Sequence, residues 1–404
     1  MAVHNYSQPR ELHVEHKQET MVRSYQVRES CHPQDLEWDA FLAKTAGGHH
    51  VQTSLWGQVK AQLGWRATRV IVSWREHIVA GAQVLIRPLR PIGAIGYVPK
   101  GPLSTVDDPL LIGLIIKELQ QIVKAQHILY MVIQPPNNGQ TFADYLPFWG
   151  FRPSLVNVAP TATLMIDLTK SLDDILAQMK KNTRKNIRHG LRNGVVVREG
   201  TDGDLDTFYD LLLATARRQH FSPYPKEYFV EMWRIFHPQG YIRLFVAEFK
   251  GEAVSAHLVI PFGNTLISKL SGWSGRHGKY KPNEVLEWEV IKWAKTQGFY
   301  YYDFEGIERE AAKTILRGEY LPASLVQTPA SFKFGFGGQV VFFPGAYDYV
   351  SSPFLRGAYN TVFQKVKNWS VIKQVVSTFR TRSAVLLLWI NLCQVWTEIQ
   401  VVGA

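Results

Sequence analysis

The hydrophobic pattern of the first half of the chain predicts an alternation of strands and helices. Apolar residues fall at every second position, or in short continuous runs, where strands are expected, and at every third or fourth position where helices are expected. The predicted strands are 24–28, 67–74, 78–88, 92–97, 128–133 and 161–167, and the predicted helices are 36–43, 55–63, 109–125 and 142–148. This order is typical of a mixed α/β fold.

The second half of the chain repeats the same order of elements. After a predicted helix that begins at Ser171, it has predicted strands at 195–198, 242–249, 253–261, 266–270 and 299–304, and predicted helices at 205–218, 226–236 and 282–297. At one fixed offset, Val72, Val79, Ala82, Val84 and Ile86 correspond to Val246, Ala253, Ala256, Leu258 and Ile260. A shared order with shared residues indicates an internal duplication.

The two ends of the chain have different compositions. Residues 1–22 are polar and contain no apolar run, so they predict a disordered leader and neither a signal peptide nor a membrane anchor. Residues 369–404 predict a helical tail, in which the apolar run 384–396 is shorter than the roughly 20 residues that a spanning helix needs. Two interpretations remain for this tail: it docks on the protein, or it lies at an anionic membrane surface.

The composition points to a basic protein with an anionic partner. The formal charge is +11 and the isoelectric point is about 9.4, so RNA, a phosphorylated substrate and an anionic membrane are all candidate partners. The two cysteines, Cys31 and Cys393, form no CxxC pair, and none of the 13 histidines has ligand-like spacing. The sequence therefore predicts neither a disulfide framework nor a metal site, and it fits a reducing cytoplasm.

A row of basic residues follows the start of the predicted helix at Ser171. Ser171 can cap this helix, whose first turns carry apolar residues up to Met179. The row contains no acid and consists of Lys180, Lys181, Arg184, Lys185, Arg188 and Arg192. Solvent-exposed helix faces usually mix acids with bases, so we interpret the row as an RNA-binding face in preference to a merely solvated one.

Two neighbouring motifs in the second half point to a site. KPNEVLEWEVIKWAKTQGFYYYDFEGI, at 281–307, predicts a helix ended by Gly298 and then an aromatic strand that ends in two acids, Asp303 and Glu305. FKFGFGG, at 332–338, places a lysine between aromatic residues and glycines. On these residues alone, the acids could equally be solvated groups at the end of a core strand.

Together with YVPKGP at 97–102 and the basic stretch at 178–194, these motifs resemble the Fem aminoacyltransferases, which build peptidoglycan interpeptide bridges. The similarity extends from about 52 to 348 and is to the short members that lack a charged helical hairpin. It implies an α/β fold of two tandem acetyltransferase-like (GNAT-like) domains, with mixed sheets flanked by helices. We expect one domain at 23–160, completed by 338–368 through a strand at 340–347, and the other at 161–337.

The resemblance also implies an activity. The chain would move an amino acid from aminoacyl-tRNA to the stem-peptide amine of a peptidoglycan precursor, either lipid II or UDP-MurNAc-pentapeptide, in the cytoplasm and without a cofactor or metal. The six residues of the basic row would bind the tRNA. Acyl-CoA is a poor donor, because 272–284 lacks the glycine spacing of the turn that binds its pyrophosphate.

Particular residues are implicated in the same way. The resemblance implies that Lys60 and Arg218, or the adjacent Arg217, bind the diphosphate of the acceptor, and that Tyr97 and Lys100 lie at the rim of the same groove. At the centre, Lys333 would stabilise the oxyanion and Phe332 beside it would contact substrate. Asp303 and Glu305 would either orient Lys333 or accept a proton from the attacking amine.

Two other classes of function stay open at this point. One is a different N-acyltransferase with the same tandem fold, which would use acyl-CoA. The other is a non-catalytic module that binds RNA or a membrane, as the net positive charge and the apolar tail also allow. For the favoured aminoacyltransferase, peripheral contact with the inner membrane face is an additional expectation.

Overall fold

The computed structural model describes residues 10–12, 25–154, 157–322, 325, 328–352 and 356, which form two compact units. The first unit contains the described residues up to Ala159 and those from Phe343 onward, and the second is Pro160–Phe342. The predicted tail and nearly all of the predicted leader lie outside the described residues. The exception is Arg10–Leu12, which pairs as a short strand, contrary to the expected disorder.

The first unit is a mixed sheet with helices. Its strands are β1 Arg10–Leu12, β2 Tyr25–Ser30, β3 Arg66–Trp74, β4 His77–Leu89, β5 Gly93–Pro99, β6 Leu103–Ser104, β7 Ile128–Gln134, β8 Arg152–Pro153 and a late strand, Tyr347–Val350. Its helices are α1 Leu36–Lys44, α2 Ser54–Ala61, α3 Pro109–Ala125 and α4 Gln140–Tyr145. The sheet order is β1-β2-β3-β4-β5-β7, then the late strand and β8, with β6 beside β4. Strands β5 and β7 are parallel because α3 crosses between them.

The second unit has the same plan. Its strands are β9 Ala162–Asp167, β10 Val195–Glu199, β11 Arg243–Phe249, β12 Glu252–Phe262, β13 Thr265–Trp273, β14 Tyr301–Asp303 and β15 Gln339–Phe342. Its helices are α5 Leu172–Gln178, α6 Lys181–Arg192, α7 Leu205–Gln219, α8 Lys226–Phe236, α9 Pro282–Thr296, α10 Arg309–Leu316 and α11 Pro329–Gly335. The order β10-β11-β12-β13-β14-β9-β15 contains one parallel pair, β13 with β14, across the helix α9.

Helix α9 forms much of the core of the second unit. The apolar stripe through Val285, Trp288, Ile291 and Ala294 is buried, as the spacing predicts. The helix ends before Gly298, whose φ of +83° is the left-handed conformation that glycine adopts at a helix end. The predicted strand after it is confirmed in its central residues, Tyr301–Asp303.

The two sheets confirm an internal duplication but correct its alignment. In both units the second and third strands of the shared plan form a hairpin with a two-residue turn, at Arg75–Glu76 and at 250–251. A bulge follows Val72 in one hairpin and Ala247 in the other, so Val72 is the equivalent of Ala247. The predicted equivalence of Val72 with Val246 is therefore wrong by one position. Both faces of these strands are buried, and the apolar pattern therefore fits either alignment.

The return of the chain to the first unit also differs from the prediction. The predicted strand at 340–347 is split: β15 pairs with β9 in the second sheet, and only the late strand, which we call β16, pairs with β7 in the first. Pro344 and Gly345 lie between them, and a proline cannot donate to a ladder. Within the described ranges, no helix combines the length and apolar content needed to cross a membrane.

Candidate active site

Lys333 lies on helix α11, whose last four residues, Phe332–Gly335, are the first four of the FKFGFGG motif. Its half-buried ammonium donates hydrogen bonds to the carbonyl oxygens of Phe304, at 3.0 Å, and Gly306, at 2.6 Å. An ammonium has three N–H groups, and the third has no acceptor in the part of the chain that the structure describes. Lys333 is thus held in place with one donor still available.

The two acids predicted beside this lysine have different surroundings. Asp303 is buried and accepts hydrogen bonds from the Thr163 hydroxyl, at 2.5 Å, and from the backbone N–H of Glu305, at 2.8 Å. The second bond is an Asx-type turn, and it holds Glu305 at a positive φ of 61°. Glu305 itself pairs with the ammonium of Lys269, at 2.6 Å. Asp303 therefore shapes the turn, and Glu305 is the acid that the turn presents.

Burial shifts the titration of this group of charges. It lowers the pKa of Lys333 below the usual lysine value, and the nearby charges of Glu305, Glu287 and Asp303 partly oppose that shift. Burial likewise raises the pKa of Glu305, against the opposing effect of Lys269. A lysine that gives up its proton more easily and a carboxylate that takes one more easily suit proton transfer.

A second buried group lies within electrostatic reach of Lys333. Glu287, on α9, accepts a hydrogen bond of 2.5 Å from the Tyr302 hydroxyl, and its other oxygen lies 3.4 Å from Nδ1 of His257. The Nε2 atom of His257 is 2.9 Å from the Ser268 hydroxyl. Burial raises the pKa of Glu287 to about 7 and lowers the pKa of His257 to about 3, so the histidine is neutral near neutral pH.

Sequence reasoning missed Lys269, Glu287 and His257. Two of them had a signal: Lys269 stands in the apolar strand TLISKL, and Glu287 stands on the buried side of α9 between Leu286 and Trp288. A charge inside an apolar run is seldom buried without a partner. Among the described residues, no group of three or more His, Cys, Asp or Glu side chains could hold a metal ion.

The basic row is divided between two faces of α6. Lys181, Lys185, Arg188 and Arg192 follow one another at helical spacing, are exposed, and form a stripe that we call the α6 stripe. The opposite face, with Thr183, Ile187 and Gly190, is buried. In the described part of the chain no ion pair neutralises the α6 stripe, and it spans about 16 Å at 1.5 Å per residue.

Arg184 is not part of this stripe. Its guanidinium donates to the carbonyl oxygens of Ala177, at 2.9 Å, and Met179, at 2.7 Å, which end the preceding helix. The predicted single helix is broken here, because Met179 and Lys180 are extended and α6 begins anew at Lys181. Arg184 thus caps the C-terminus of α5, where a cation is favourable.

The residues predicted for the acceptor lie in both units. In the second, Arg218 is exposed, lies 4.8 Å from the Trp273 ring centre and donates to Thr215 and to the Trp273 carbonyl oxygen. Arg217 is exposed as well, and no ion pair of it occurs within the described ranges. Phe332 packs on Phe336, with ring centres 5.2 Å apart.

In the first unit, the candidate residues are largely buried. Lys60 is 7% exposed and lies 5.1 Å from the ring centre of Trp56, and Lys100 lies 3.8 Å from that of Phe343. Tyr97 is buried in β5, which raises the pKa of its hydroxyl. Gln52, from the motif around Lys60, bonds to the carbonyl oxygens of Gln83 and Pro99 and so ties β4 to β5.

Comparison with known proteins connects these units to a family. Residues 33–144 match the FemAB family model, and residues 177–314 match that of an acetyltransferase (GNAT) domain. The chain is thus similar to the FemAB family in its first unit. The crystal structure of FemX matches with a TM-score of 0.71 over 83% of this chain and 99% of that one, at 18% identity. This likeness confirms the predicted fold of two acetyltransferase-like halves.

Curated Fem proteins show similarity over large parts of the chain. A UDP-N-acetylmuramoylpentapeptide-lysine N(6)-alanyltransferase of Weissella viridescens is 26% identical over 293 residues, which cover 69% of this chain and 86% of that protein. A lipid II:glycine glycyltransferase of Staphylococcus saprophyticus is 23% identical over 54% of this chain. The chain spans 56% of the length of that glycyltransferase.

Proposed function

We propose that the protein is an aminoacyltransferase that adds an amino acid to the stem peptide of a peptidoglycan precursor. The observation that carries the proposal is Lys333, held by two backbone carbonyl oxygens beside the half-buried Glu305, which pairs with Lys269, in an acetyltransferase-like unit. The named activities of the alanyltransferase and glycyltransferase relatives support the same reaction class. The fold alone would not support this reaction class, because proteins of this fold catalyse many different acyl transfers.

The proposed donor is aminoacyl-tRNA. A row of four cations along α6, which has no ion pair within the described residues, can neutralise several consecutive phosphates, which a polynucleotide has and a coenzyme lacks. The acceptor is lipid II or UDP-MurNAc-pentapeptide, and we assign its diphosphate to the exposed Arg218. Because both substrates are made inside the cell, the enzyme would act in the cytoplasm, with the precursor's lipid as a reason for contact with the inner membrane face.

The proposed reaction is a direct attack. The acceptor amine attacks the ester carbonyl carbon, the N–C bond forms, and the carbonyl oxygen gains negative charge. The free N–H of Lys333 stabilises that oxygen, a role for a fixed donor that is effective only as charge develops. Glu305 accepts the amine proton, the ester C–O bond breaks, and the same proton passes from Glu305 to the ribose oxygen that leaves. No covalent enzyme intermediate is needed.

A transfer assay with the full chain tests this function. Charged tRNA with a radiolabelled amino acid is mixed with UDP-MurNAc-pentapeptide or with lipid II in vesicles, and label on the precursor is measured. We expect transfer that disappears after ribonuclease treatment and is absent with acyl-CoA as donor. Ribonuclease-resistant transfer from acyl-CoA would instead identify another N-acyltransferase, and RNA binding without turnover would identify a non-catalytic module.

A further inference from the structure

A cavity of about 360 Å³ opens in the second unit where α6 begins. Its lining combines the first residues of α6 with one face of α11: Lys180, Lys181, Asn182, Thr183, Glu284, Ser331, Phe332, Gly335 and Phe336. Lys333 is on the other side of α11, where it bonds to Phe304 and Gly306. The cavity is therefore distinct from the lysine–carboxylate group, although one short helix contributes to both.

The backbone of this cavity presents donors without acceptors. The N–H groups of Lys181, Asn182 and Thr183 form the first turn of α6, and no side chain caps them. Within the described ranges, none of the three has an acceptor, whereas the preceding N–H, of Lys180, bonds to the Gly335 carbonyl oxygen at 2.9 Å. A helix start with free N–H groups favours an anion.

A buried hydroxyl in the same place is the second, independent indication of a ligand. Thr183 is only 9% exposed, lines the cavity, and has no hydrogen-bond partner among the described residues. Its Oγ1 lies 2.6 Å from where a Cβ on Gly335 would stand, so the missing side chain at Gly335 leaves this oxygen open. The Ser331 hydroxyl, also on the lining, has no partner there either. A polar side chain as buried as that of Thr183 normally has a hydrogen-bond partner.

We infer that this cavity binds one phosphodiester of the RNA donor, with Thr183, Ser331 and the first N–H groups of α6 as its ligands. The inference rests on the proposed function in taking RNA as the donor. Two ammonium groups, of Lys180 and Lys181, and a single carboxylate, of Glu284, line the cavity, which suits a singly charged diester better than free phosphate. Glu284 is also an acceptor for a ribose hydroxyl.

The position of the cavity explains why RNA is the favoured source of the phosphate. Lys181 belongs both to the cavity lining and to the α6 stripe. A polynucleotide that places one phosphate in the cavity can therefore continue along Lys185, Arg188 and Arg192. Phe332, which is partly exposed, offers ring surface at the same cavity, as sites for single-stranded nucleic acid commonly do.

The test compares the effect on RNA binding of removing the Thr183 hydroxyl with the effect of removing the Lys185 charge. A fluorescent single-stranded hexaribonucleotide is titrated with the full-length chain at several salt concentrations, using Thr183→Val, Thr183→Ser and Lys185→Met. Thr183→Val should weaken binding about tenfold, because a hydrogen bond to a charged group is lost, without changing the salt slope. Thr183→Ser should bind like the wild type. Lys185→Met should lower the salt slope by about 0.7.

The outcomes separate the two proposals. Wild-type affinity in Thr183→Val with a reduced slope in Lys185→Met would overturn the phosphate cavity and leave the RNA donor intact. A wild-type chain that binds the hexaribonucleotide without salt dependence would overturn the RNA donor itself. If Thr183→Val unfolds at a lower temperature than the wild type, Ser331→Ala replaces it, with a weaker affinity expected and an unchanged one contradicting the cavity.

Discussion

At the scale of single residues, the two acids near Lys333 can be assigned different tasks. The Asp303 carboxylate accepts hydrogen bonds from the Thr163 hydroxyl and from the N–H of Glu305, and an amide oxygen could accept both. Glu305 is half-buried against Lys269, and its raised pKa suits it to accept a proton. We therefore assign proton acceptance to Glu305 and give Asp303 the shaping of the turn, which is neither of the two roles that the sequence leaves open.

An isosteric pair of variants tests this assignment. Glu305→Gln removes the proton acceptor and should lower kcat by at least a hundredfold, the lower end of the contribution of general base catalysis. Asp303→Asn keeps an oxygen for both hydrogen bonds and should retain kcat within about threefold, well short of that range. Both are measured by transfer at saturating substrates, and an equal loss in the two variants would refute the division of roles.

Glu287 makes the stability of the second unit depend on pH. Its pKa rises from 4.5 to about 7 on folding because the carboxyl is buried, so the folded state binds more protons than the unfolded state between those values. Stability from this group is therefore present below pH 4.5 and is lost as the pH rises through 7. The lowered pKa of His257 has the opposite effect: between pH 3 and 6.5 the folded state binds fewer protons than the unfolded state, so stability from this group rises with pH.

Replacing Glu287 isolates its contribution. Between pH 4.5 and pH 8 the wild type should lose about 3 kcal/mol of unfolding free energy that Glu287→Gln keeps, since the amide does not titrate. The stability of the variant relative to the wild type should therefore rise by that amount across this range. Urea unfolding followed across this range measures the difference. Wild-type and variant curves that run parallel with pH would show that Glu287 titrates normally.

The sequence identifies part of this site and not the rest, for a physical reason. Lys333, Asp303 and Glu305 stand in motifs that a family resemblance can mark. Their partners Lys269 and Glu287 come from β13 and α9, and they meet only because β13 pairs with β14 and α9 packs on the sheet. Such pairing is set by topology, which local patterns do not contain.

At the scale of elements, α6 has one face that packs against the core and one exposed basic face. The buried face packs at Gly190 against α9, where an added Cβ would lie 2.4 Å from Val285. The α6 stripe faces outward, and its four cations pair with no acid among the residues that the structure describes. Arg184, between the faces, holds the end of α5. Substrate binding and helix capping are therefore separable along one helix.

Two arginines four positions apart test this separation. Arg188→Met should weaken binding of tRNA and lower its salt slope, because one phosphate contact is lost. Arg184→Met should leave that slope nearly unchanged and lower the melting temperature, since the α5 carbonyl groups lose their donor. Filter binding across salt concentrations and thermal unfolding measure the two effects. A larger slope change in Arg184→Met would place the RNA contact on the wrong face.

Element bounds were predictable where the pattern ends in a clear signal. Helix α3 begins at Pro109 after the Asp108 cap, and α8 begins after Pro225, and both match their predicted bounds. The sequence at the break between α5 and α6 contains no glycine or proline that would predict it. It arises from tertiary contacts, namely the bond of Lys180 to Gly335 and the cap by Arg184.

At the scale of the whole molecule, the second sheet is built from one continuous stretch of the chain, whereas the first sheet is completed by a strand that follows the second unit. In the second sheet β9, which precedes β10, lies beside β14, and in the first sheet β16, which follows the entire second unit, occupies the matching place beside β7. The order of elements predicts two similar halves. It could not predict which of β15 and β16 joins which sheet, since both are short apolar strands.

Proline substitutions test the two closures separately. Tyr349→Pro, in β16 between β7 and β8, should remove hydrogen-exchange protection from β7, because proline cannot donate to an internal ladder. Protection in β9 and β14 should persist. Val341→Pro, in the edge strand β15, should have a smaller effect confined to β9. Loss of protection in both sheets from either change would contradict two independently closed sheets.

The turnover number of Lys333→Met tests the central claim most directly. The change keeps the length of the side chain and removes its charge, while Lys313→Met, at an exposed lysine on α10, is the matched control. We predict that Lys333→Met lowers kcat for transfer from aminoacyl-tRNA by about a hundredfold or more, the usual cost of losing an oxyanion donor, with both substrates still bound and Lys313→Met unaffected. A folded Lys333→Met protein that turns over within about threefold of the wild type, well short of that cost, would contradict the account.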